Sequence, residues 1–421
     1  MTTTSNKSSE SPFSKDFQRG QKRQAILSEA AKLFNIRGTR ATTLSDIASR
    51  LSLTKTTLYY YVKSKEELIY QCYLQSCDEL SKLLDAAEAC DGTGREKLAT
   101  FIRVYFSAWH AMAIGQEPQY AMLTEIRALK DDHRNEVAQR YSILFKRMKN
   151  VIQGGVADGS IVDSHPQDAA LAMFGLVQMT ALWLPEVQVD KIEQAGASFI
   201  DLVFNGIATS DTFVPGVFPG VPATPAGFDR EAQNIRKQEA FYKAGSAFFN
   251  RKGFKGTSLD EIAEALDVTK GAFYYHIKDK DELLFHCFQR SLTIIESMQD
   301  VAEKNAKTGL EELQFCAYYL FHIQNSNEGP LIRFNLIPSL SKELKREVIG
   351  GINAISKRFG GMIRKGMIDG SIRQIDPFIA ERVLTTAINI SVEMQWMRPI
   401  DDIAAAYQSY FEFYFTGIAQ E

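Results

Sequence analysis

Two short segments of the sequence bring hydroxyl, ammonium and phenol groups close together. The first runs from Thr54-Lys55-Thr56-Thr57 into Tyr59-Tyr60-Tyr61, with Lys63 and Lys65 just behind. Hydroxyls and ammonium groups at the start of a helix suit base edges and phosphate oxygens, and phenols can also donate to phosphates. A single Tyr-Tyr pair is usually core and a single Lys is usually solvated. The prediction of polyanion recognition therefore depends on the whole group.

The second segment repeats the first at a spacing of 215 residues. With Gly38 aligned to Gly253, thirteen residues between 42 and 68 recur in one register. A weaker echo follows at a spacing of 211, where 158–161 and 369–372 both read Asp-Gly-Ser-Ile and Pro166 and Pro377 come next. Each half is therefore predicted to be one complete copy of a two-part unit.

Helical periodicity indicates the elements that would hold these side chains. One helix face is formed by Leu44, Ile47, Ala48 and Leu51. Pairs typical of helix starts are Thr43 with Asp46, Ser64 with Glu67, Asp279 with Glu282, and Ser258 with Glu261, the last predicted to be the fuller capping box. A second short helix is predicted over Lys55–Tyr61. The order of short helix, tight turn, short helix and long helix is typical of a helix-turn-helix.

Local charge differs from the charge of the whole chain. Residues 15–65 carry eleven Lys/Arg against three Asp/Glu, a net +8, and residues 230–280 carry a net +3, whereas the whole chain is −3. Two cationic modules on an acidic chain are typical of phosphate binding. In a helix-turn-helix the second short helix enters the major groove of DNA, and it is here called the reader. Because the helix before the reader of the second copy is richer in carboxylates, the first module is predicted to give more of the salt-sensitive affinity. Lys55 and Lys65 should then matter more than Lys270 and Lys280.

Composition excludes several other classes of protein. The 421 residues are 45% hydrophobic and 24% charged, which suits a globular chain of two or more domains. Five scattered cysteines predict reduced thiols rather than disulfides or a zinc site. With no apolar run long enough for a bilayer and no catalytic motif, we expect a cytoplasmic protein without membrane contact, enzymatic activity, cofactor or metal.

Domain boundaries follow from the repeat and from the stretch 213–227, whose four prolines and three glycines oppose both helix and sheet. The predicted segments are a disordered arm (1–18), a first helix-turn-helix domain (19–66), a first helical body (67–210), a Pro/Gly linker (211–229), a second helix-turn-helix domain (230–281) and a second body (282–421). The predicted fold is all-α.

These segments closely resemble the DNA-binding domain of the TetR/AcrR family of regulators, and the stretch from Thr269 to Lys280 keeps the family pattern best. The resemblance implies DNA contacts, in the second copy, by Thr257, Thr269, Lys270, Gly271, Tyr274, Tyr275, His276 and Lys280. In the first copy the matching residues are Thr42, Thr54, Lys55, Thr56, Tyr59, Tyr60, Tyr61 and Lys65. Tyr61 replaces the usual His and Thr56 the usual Gly, so the first copy departs from the pattern at these two positions.

In the resembled family the body binds a small effector and pairs through its last two long helices. These would be about Asp168–Leu184 with Lys191–Ala208, and Pro377–Trp396 with Asp401–Ala419. Aromatic residues in the bodies are candidates for an apolar ligand pocket, although ordinary bundle core explains each of them equally well. The selected ligand candidates are Tyr105, Trp109, Trp183, Tyr318, His322 and Trp396.

The sequence as a whole favours a repressor of double-stranded operator DNA, released by a small hydrophobic or aromatic effector such as an acyl thioester. The alternative is a constitutive or architectural DNA-binding protein without an effector. One chain would act as an intrachain pseudo-dimer on two half-sites, or two chains would pair as a homodimer and present four modules.

Overall fold

The computed structural model describes residues 15–123, 126, 129–163, 165–210 and 230–420. These residues confirm the all-α prediction. The first unit contains α1 (Lys15–Ala41), α2 (Leu44–Arg50), α3 (Lys55–Tyr61), α4 (Lys65–Glu88), α5 (Gly94–Ala113), α6 (Asp131–Ala157), α7 (Pro166–Met179) and α8 (Ile192–Asn205). The second contains α9 (Arg230–Gly256), α10 (Leu259–Ala265), α11 (Lys270–His276), α12 (Lys280–Asn305), α13 (Gly309–Gln324), α14 (Lys342–Asp369), α15 (Pro377–Ile390), α16 (Met394–Met397) and α17 (Ile403–Phe415).

Each unit begins with a helix-turn-helix module whose turn has a left-handed residue. Ser52 and Asp267 occupy equivalent places between the two short helices, both at φ 54°. A capping box at Thr43 and Asp46 starts α2, whereas Ser258 makes no side-chain cap at the start of α10. The prediction that the second copy would have the fuller box is therefore wrong: the Glu261 carboxylate accepts from the Ser258 backbone N–H and also pairs with Lys252 at 2.8 Å, but the Ser258 hydroxyl accepts no hydrogen bond from the start of α10.

The repeated Asp-Gly-Ser-Ile motif closes each body. Asp158 accepts a hydrogen bond from the Gly94 N–H at the start of α5, and Asp369 does the same for Gly309 at the start of α13, both at 2.8 Å. A carboxylate satisfies donors at a helix N-terminus that have no partner within the helix. The motif therefore joins α5 to α6 and α13 to α14.

The last long helices of both units are shorter than the sequence predicts. Thr180 and Ser391 donate to the carbonyls of Val177 and Ile388, both at 2.8 Å, where α7 and α15 end and 3₁₀ turns begin. A hydroxyl that takes the carbonyl three residues back competes with the α-helical ladder. The predicted helices Asp168–Leu184 and Pro377–Trp396 are therefore interrupted.

The two units pack against each other through α7, α8, α15 and α17. The contact is reciprocal, since Ile161 pairs with Ala419 in one antiparallel bridge and Ile372 pairs with Ala208 in another. Equivalent residues exchange partners in this way at an isologous interface, in which both partners use the same surface. The two halves of the chain are therefore related like the two protomers of a dimer.

The predicted boundaries at the two irregular segments are only partly visible. Helix α1 begins at Lys15, so the last residues of the predicted arm are helical and that boundary is wrong. Residues 1–14 and the linker 211–229 lie outside the described residues. In the described part of the chain, no helix combines the length and the hydropathy that crossing a membrane requires.

Candidate nucleic-acid interface

Helix α3, the predicted reader of the first unit, presents most of its polar side chains to solvent. Thr54 caps the helix by accepting from the Thr57 N–H at 3.1 Å, and Lys55, Thr56 and Tyr59 are exposed. Leu58 is fully buried beneath them, which anchors the helix to its module. The outer face of α3 is therefore open to a partner.

The tyrosines of α3 differ in their surroundings. Tyr60 is 67% exposed, with the Arg19 guanidinium 5.2 Å from the centre of its ring. Tyr61 instead packs partly against the core. One ring thus anchors the helix while two phenols stay available for phosphates.

Helix α11 repeats this arrangement with its own chemistry. Thr269 caps it, Tyr275 is 85% exposed and His276 is half-buried against the ring of Phe241, 5.6 Å away. Gly271 has open space where a side chain would begin. Its backbone can therefore be approached more closely than that of Thr56, the residue at the same place in α3.

The lysines at the start of the two readers differ in electrostatic surroundings. Lys270 Nζ lies 2.6 Å from Asp260, which also accepts from the Tyr274 hydroxyl at 3.2 Å. The hydrogen bond from Lys270 lowers the pKa of Asp260, so the carboxylate stays charged. In the first unit the place of Asp260 is taken by Ser45, and Lys55 instead lies 5.8 Å from the Tyr59 ring. The second reader is thus partly neutralised by its own module.

Four of the predicted contact residues have structural roles. Thr42 and Thr257 are buried and donate to the carbonyls of Gly38 and Gly253, at 2.9 and 2.8 Å. Their hydroxyls are therefore engaged within the modules, and a DNA contact by Thr42 and Thr257, which the resemblance implies, stays a prediction.

Lys65 and Lys280 are half-buried and serve the ends of α1 and α9. Lys65 donates to the Arg40 carbonyl at 3.1 Å, and Lys280 donates to the carbonyls of Phe254 and Thr257 at 3.0 and 2.9 Å. Burial lowers the pKa of Lys280. These ammonium groups neutralise helix C-termini, so their charge is directed inward.

An asparagine at the same place in each unit connects the DNA-binding module to its body, and the sequence patterns above did not predict this role. The Asn35 side chain donates to the Tyr120 carbonyl at 3.0 Å and accepts from the Met122 N–H at 2.9 Å. Asn250 makes the same two bonds to Leu331 and Arg333, at 2.8 and 3.0 Å. The spacing of 215 between the two asparagines was the available signal, since a polar residue repeated on the inner face of a helix needs a partner.

The first module also contacts the second unit. Residues Phe334–Ser339 form a 3₁₀ segment, here named the wedge, that packs against both α1 and α9. The wedge residue Pro338 lies so close to Gly38 that a β-carbon there would be 2.3 Å from it. Arg40 of the first module reaches the Ser339 carbonyl at 2.7 Å and covers the Phe254 ring at 4.3 Å. The two modules therefore meet around one segment of the second body.

Two cavities lie between the units at equivalent places. The first cavity, of about 530 Å³, is bounded by α1, by the segment between α7 and α8 of the first body, by the wedge and by α14. The second, of about 700 Å³, is bounded by α6, α7 and α9. Ile349 in the first corresponds to Ala138 in the second at the spacing of 211. Met179 borders both cavities.

Two of the six ligand candidates line a cavity, because Trp109 and Trp183 both border the smaller one. Tyr105 is buried and donates to the Val177 carbonyl at 2.7 Å, so it belongs to the core. Tyr318 packs edge-on against Tyr407, with ring centres 5.1 Å apart. Trp396 is partly exposed beside Arg333. Among the described residues, Tyr105, Tyr318, His322 and Trp396 line neither of these two cavities.

Both modules match a known protein family. A model described as bacterial regulatory proteins of the tetR family matches residues 26–72 and again 241–287. A second model, described as a tetracyclin repressor-like C-terminal domain, matches residues 91–207. Both matches are to regulatory proteins that bind DNA, not to enzymes.

Individual relatives cover about half of this chain or less. The TetC protein of transposon Tn10 from Escherichia coli is 30% identical over 28% of this chain, which covers 62% of that protein. The transcriptional repressor KstR2 of Mycolicibacterium smegmatis is 26% identical over 46% of this chain and 94% of its own length. The solved structure of KstR2 from Mycobacterium tuberculosis covers 44% of this chain at 21% identity, with a TM-score of 0.37. The chain belongs to the TetR family of helix-turn-helix transcriptional regulators and carries the family's DNA-binding domain twice.

Proposed function

We propose that this regulator works as a single-chain pseudo-dimer that holds an operator with two unlike half-sites and leaves it when an effector binds. The observation that carries the proposal is the reciprocal packing of the two units, which gives one chain two exposed reader helices, α3 and α11. The names of its relatives, among them a transcriptional repressor and a fatty acid metabolism regulator, support repression and an apolar effector.

The proposal assigns the DNA contacts to the outer faces of the readers. Lys55, Thr56, Tyr59 and Tyr60 would serve one half-site, and Gly271, Tyr275 and His276 the other. Because Thr56 and Gly271 differ in how closely a backbone can approach, the two half-sites should differ in sequence. Successive major grooves on one face of the duplex are about 34–36 Å apart, so the half-sites should be spaced accordingly.

The test is a footprint of the purified chain on its own upstream region, with the mass of the complex measured in solution. We expect one chain to protect two unlike half-sites. Protection that requires two chains would support the homodimer with four modules instead. A melting shift with free acids or acyl thioesters, coupled to release of the footprint, would support effector control. DNA binding that no such ligand changes would favour the constitutive alternative.

A further inference from the structure

We propose that the effector site is the smaller cavity between the two units, and that it takes one apolar ligand with a single acidic group per chain. This inference rests on the proposed function, because it names the site and the ligand class through which release would act. The cavity measures about 530 Å³, within the range of small-molecule sites.

The walls of the cavity come from three parts of the molecule. Helix α1 contributes Lys32 and Ile36, and the first body contributes Trp109 and Trp183. The second body contributes the wedge and one face of α14. The shape of the cavity therefore depends on how the first DNA-binding module sits against both bodies. A ligand that binds one such arrangement better than another shifts the population toward it.

The chemistry of the lining indicates the ligand class. Most of the surface is apolar, and it includes Trp109, Trp183, Ile192, Phe334, Ile349 and Ile352. The Arg382 charge in the wall is already paired with Glu186, 2.7 Å away. Two ammonium groups, Lys32 and Lys345, border the cavity beside α1. An apolar body with one carboxylate at the α1 end satisfies both features.

Lys345 connects this charge to the DNA-binding module. Its ammonium donates to the Ile36 carbonyl of α1 at 3.3 Å, close to the upper limit for a hydrogen bond. Burial lowers the pKa of Lys345, so an arriving carboxylate would relieve an unfavourable charge. A ligand that draws Lys345 toward itself weakens this contact between α14 and α1.

The larger cavity is the internal control for this assignment. It occupies the equivalent place but contains Arg134, Arg251, Lys252, Arg333 and Glu393. Three of these cations have carboxylate partners: Arg134 with Asp131, Lys252 with Glu261, and Arg333 with Glu393. Neither Trp109 nor Trp183 borders it. The lining of the larger cavity is more polar than that of the smaller one, so we expect the apolar ligand to prefer the smaller cavity and to occupy one site per chain.

Laurate is the test ligand, with dodecanol and dodecyltrimethylammonium as neutral and cationic counterparts of the same chain length. The chain has three tryptophans, so in the W396F variant the emission comes only from the two that line the smaller cavity. We expect laurate to change this emission with one site per chain, dodecanol to bind about tenfold more weakly, and the cationic amphiphile not to bind.

Two substitutions in the W396F background locate the site. Ile349→Trp fills the cavity and should weaken laurate binding by more than about tenfold, whereas Ala138→Trp, at the equivalent place in the larger cavity, should leave it unchanged. Because both substitutions add a fluorophore, binding to these two variants is followed by calorimetry. Because Ile349→Trp could also disturb folding, Lys345→Gln serves as a milder variant. Lys345→Gln should weaken laurate binding about fivefold and leave dodecanol binding unchanged.

The same samples separate this inference from the proposed function. Two laurate sites per chain, equal effects of Ile349→Trp and Ala138→Trp, or equal affinity for the three amphiphiles would overturn the site assignment, while ligand-free operator binding would leave the proposed function standing. Failure of the ligand-free chain to bind its operator would refute the proposed function even if laurate occupied the cavity.

Discussion

Arg40 in the last turn of α1 and Asp281 in the first turn of α12 form a two-point ion pair, with nitrogen–oxygen distances of 2.6 and 2.9 Å. The pair joins the first DNA-binding module to the helix that supports the second. In the first unit the corresponding residue, Glu66, is bound instead by His133 of its own body at 2.9 Å. The same position thus holds a module to its own body in one unit and to the other module in the second.

The first prediction concerns this ion pair. Its side chains are 41% and 30% exposed, so a double-mutant cycle with Arg40→Ala and Asp281→Ala should give a coupling free energy of only about 0.2–1 kcal/mol. Loss of the ion pair should affect DNA binding more than it affects stability, because the pair helps to set the distance between the two reader helices. We expect Arg40→Ala to bind operators with altered half-site spacing better than the parent chain does. Asp78→Ala, which breaks an ion pair within the first unit, is the control and should keep the parent preference.

The second prediction concerns the salt dependence of DNA binding. Lys55→Ala should reduce the salt slope by about one counterion and lower the affinity, whereas Lys270→Ala should change both less, because Asp260 already neutralises Lys270. Asp260→Ser copies the residue of the first unit and should raise affinity at low salt. Titrations at several salt concentrations measure these slopes. Equal losses for the two lysine variants would show that the modules contribute alike.

The third prediction concerns two matched glycines. Gly38 and Gly253 have φ values of 79° and 71°, so replacing either by Ala should cost about 1–3 kcal/mol of unfolding free energy. Only Gly38 faces Pro338, while Gly253 has open space around it. Gly38→Ala should therefore cost about 1–3 kcal/mol more than Gly253→Ala in denaturant unfolding. Equal costs would show that the wedge can move away from a β-carbon at position 38 without loss of stability.

The fourth prediction concerns the buried ion pair between the units. Asp168 is almost fully buried and accepts from Arg398 at 2.6 and 3.1 Å and from Ser409 at 2.7 Å. Asp168→Ala leaves both donors without this acceptor and should lower the free energy of unfolding by about 1–3 kcal/mol.

The control is Asp201→Ala, which removes a more exposed carboxylate from another pair between the units, that with Arg373. Its cost should be about 0–1 kcal/mol. A similar loss in both variants would contradict the weight given to burial.

The fifth prediction concerns pH. Burial raises the pKa of Glu381 despite the opposing charge of Arg382. A carboxyl whose folded-state pKa is raised favours folding below its unfolded pKa, and that contribution is lost as pH rises through the folded value. Glu381→Gln should therefore raise Tm at about pH 8, and the difference from the parent should shrink toward about pH 4. A constant difference across this range would show that folding leaves the pKa of Glu381 unchanged.

Local features could be predicted from the sequence because their causes are local. The bounds of α3 follow from the cap at Thr54 and from helical spacing, and both match the structure. The hydrogen bond of Thr42 could not be predicted, because the sequence around a threonine beside a helix start is the same whether its hydroxyl contacts DNA or the Gly38 carbonyl. The burial of Tyr105 in the core could not be predicted, because the abundance of aromatic residues does not show which face of a helix borders a cavity.

The resemblance pointed to the helices through which the units pack, but the individual side-chain contacts between the units could not be predicted. Arg40 and Asp281 are 241 residues apart, and no periodic pattern connects them. The two cavities likewise differ at equivalent positions, such as Ile349 in the smaller and Ala138 in the larger, and each of these residues borders a cavity only because its body packs against the other unit. The repeat predicts that two equivalent places exist, but the residues that line them are chosen by tertiary packing.

The reciprocal interface of α7, α8, α15 and α17 joins two halves that the backbone already keeps together. Ordinary subunits separate on dilution, whereas these halves meet at an effective concentration set by the connecting chain. A cell with very few copies of this polypeptide would still contain fully assembled molecules. Because each half has its own stretch of the sequence, a substitution in one half also leaves the other half unchanged, which identical subunits do not allow.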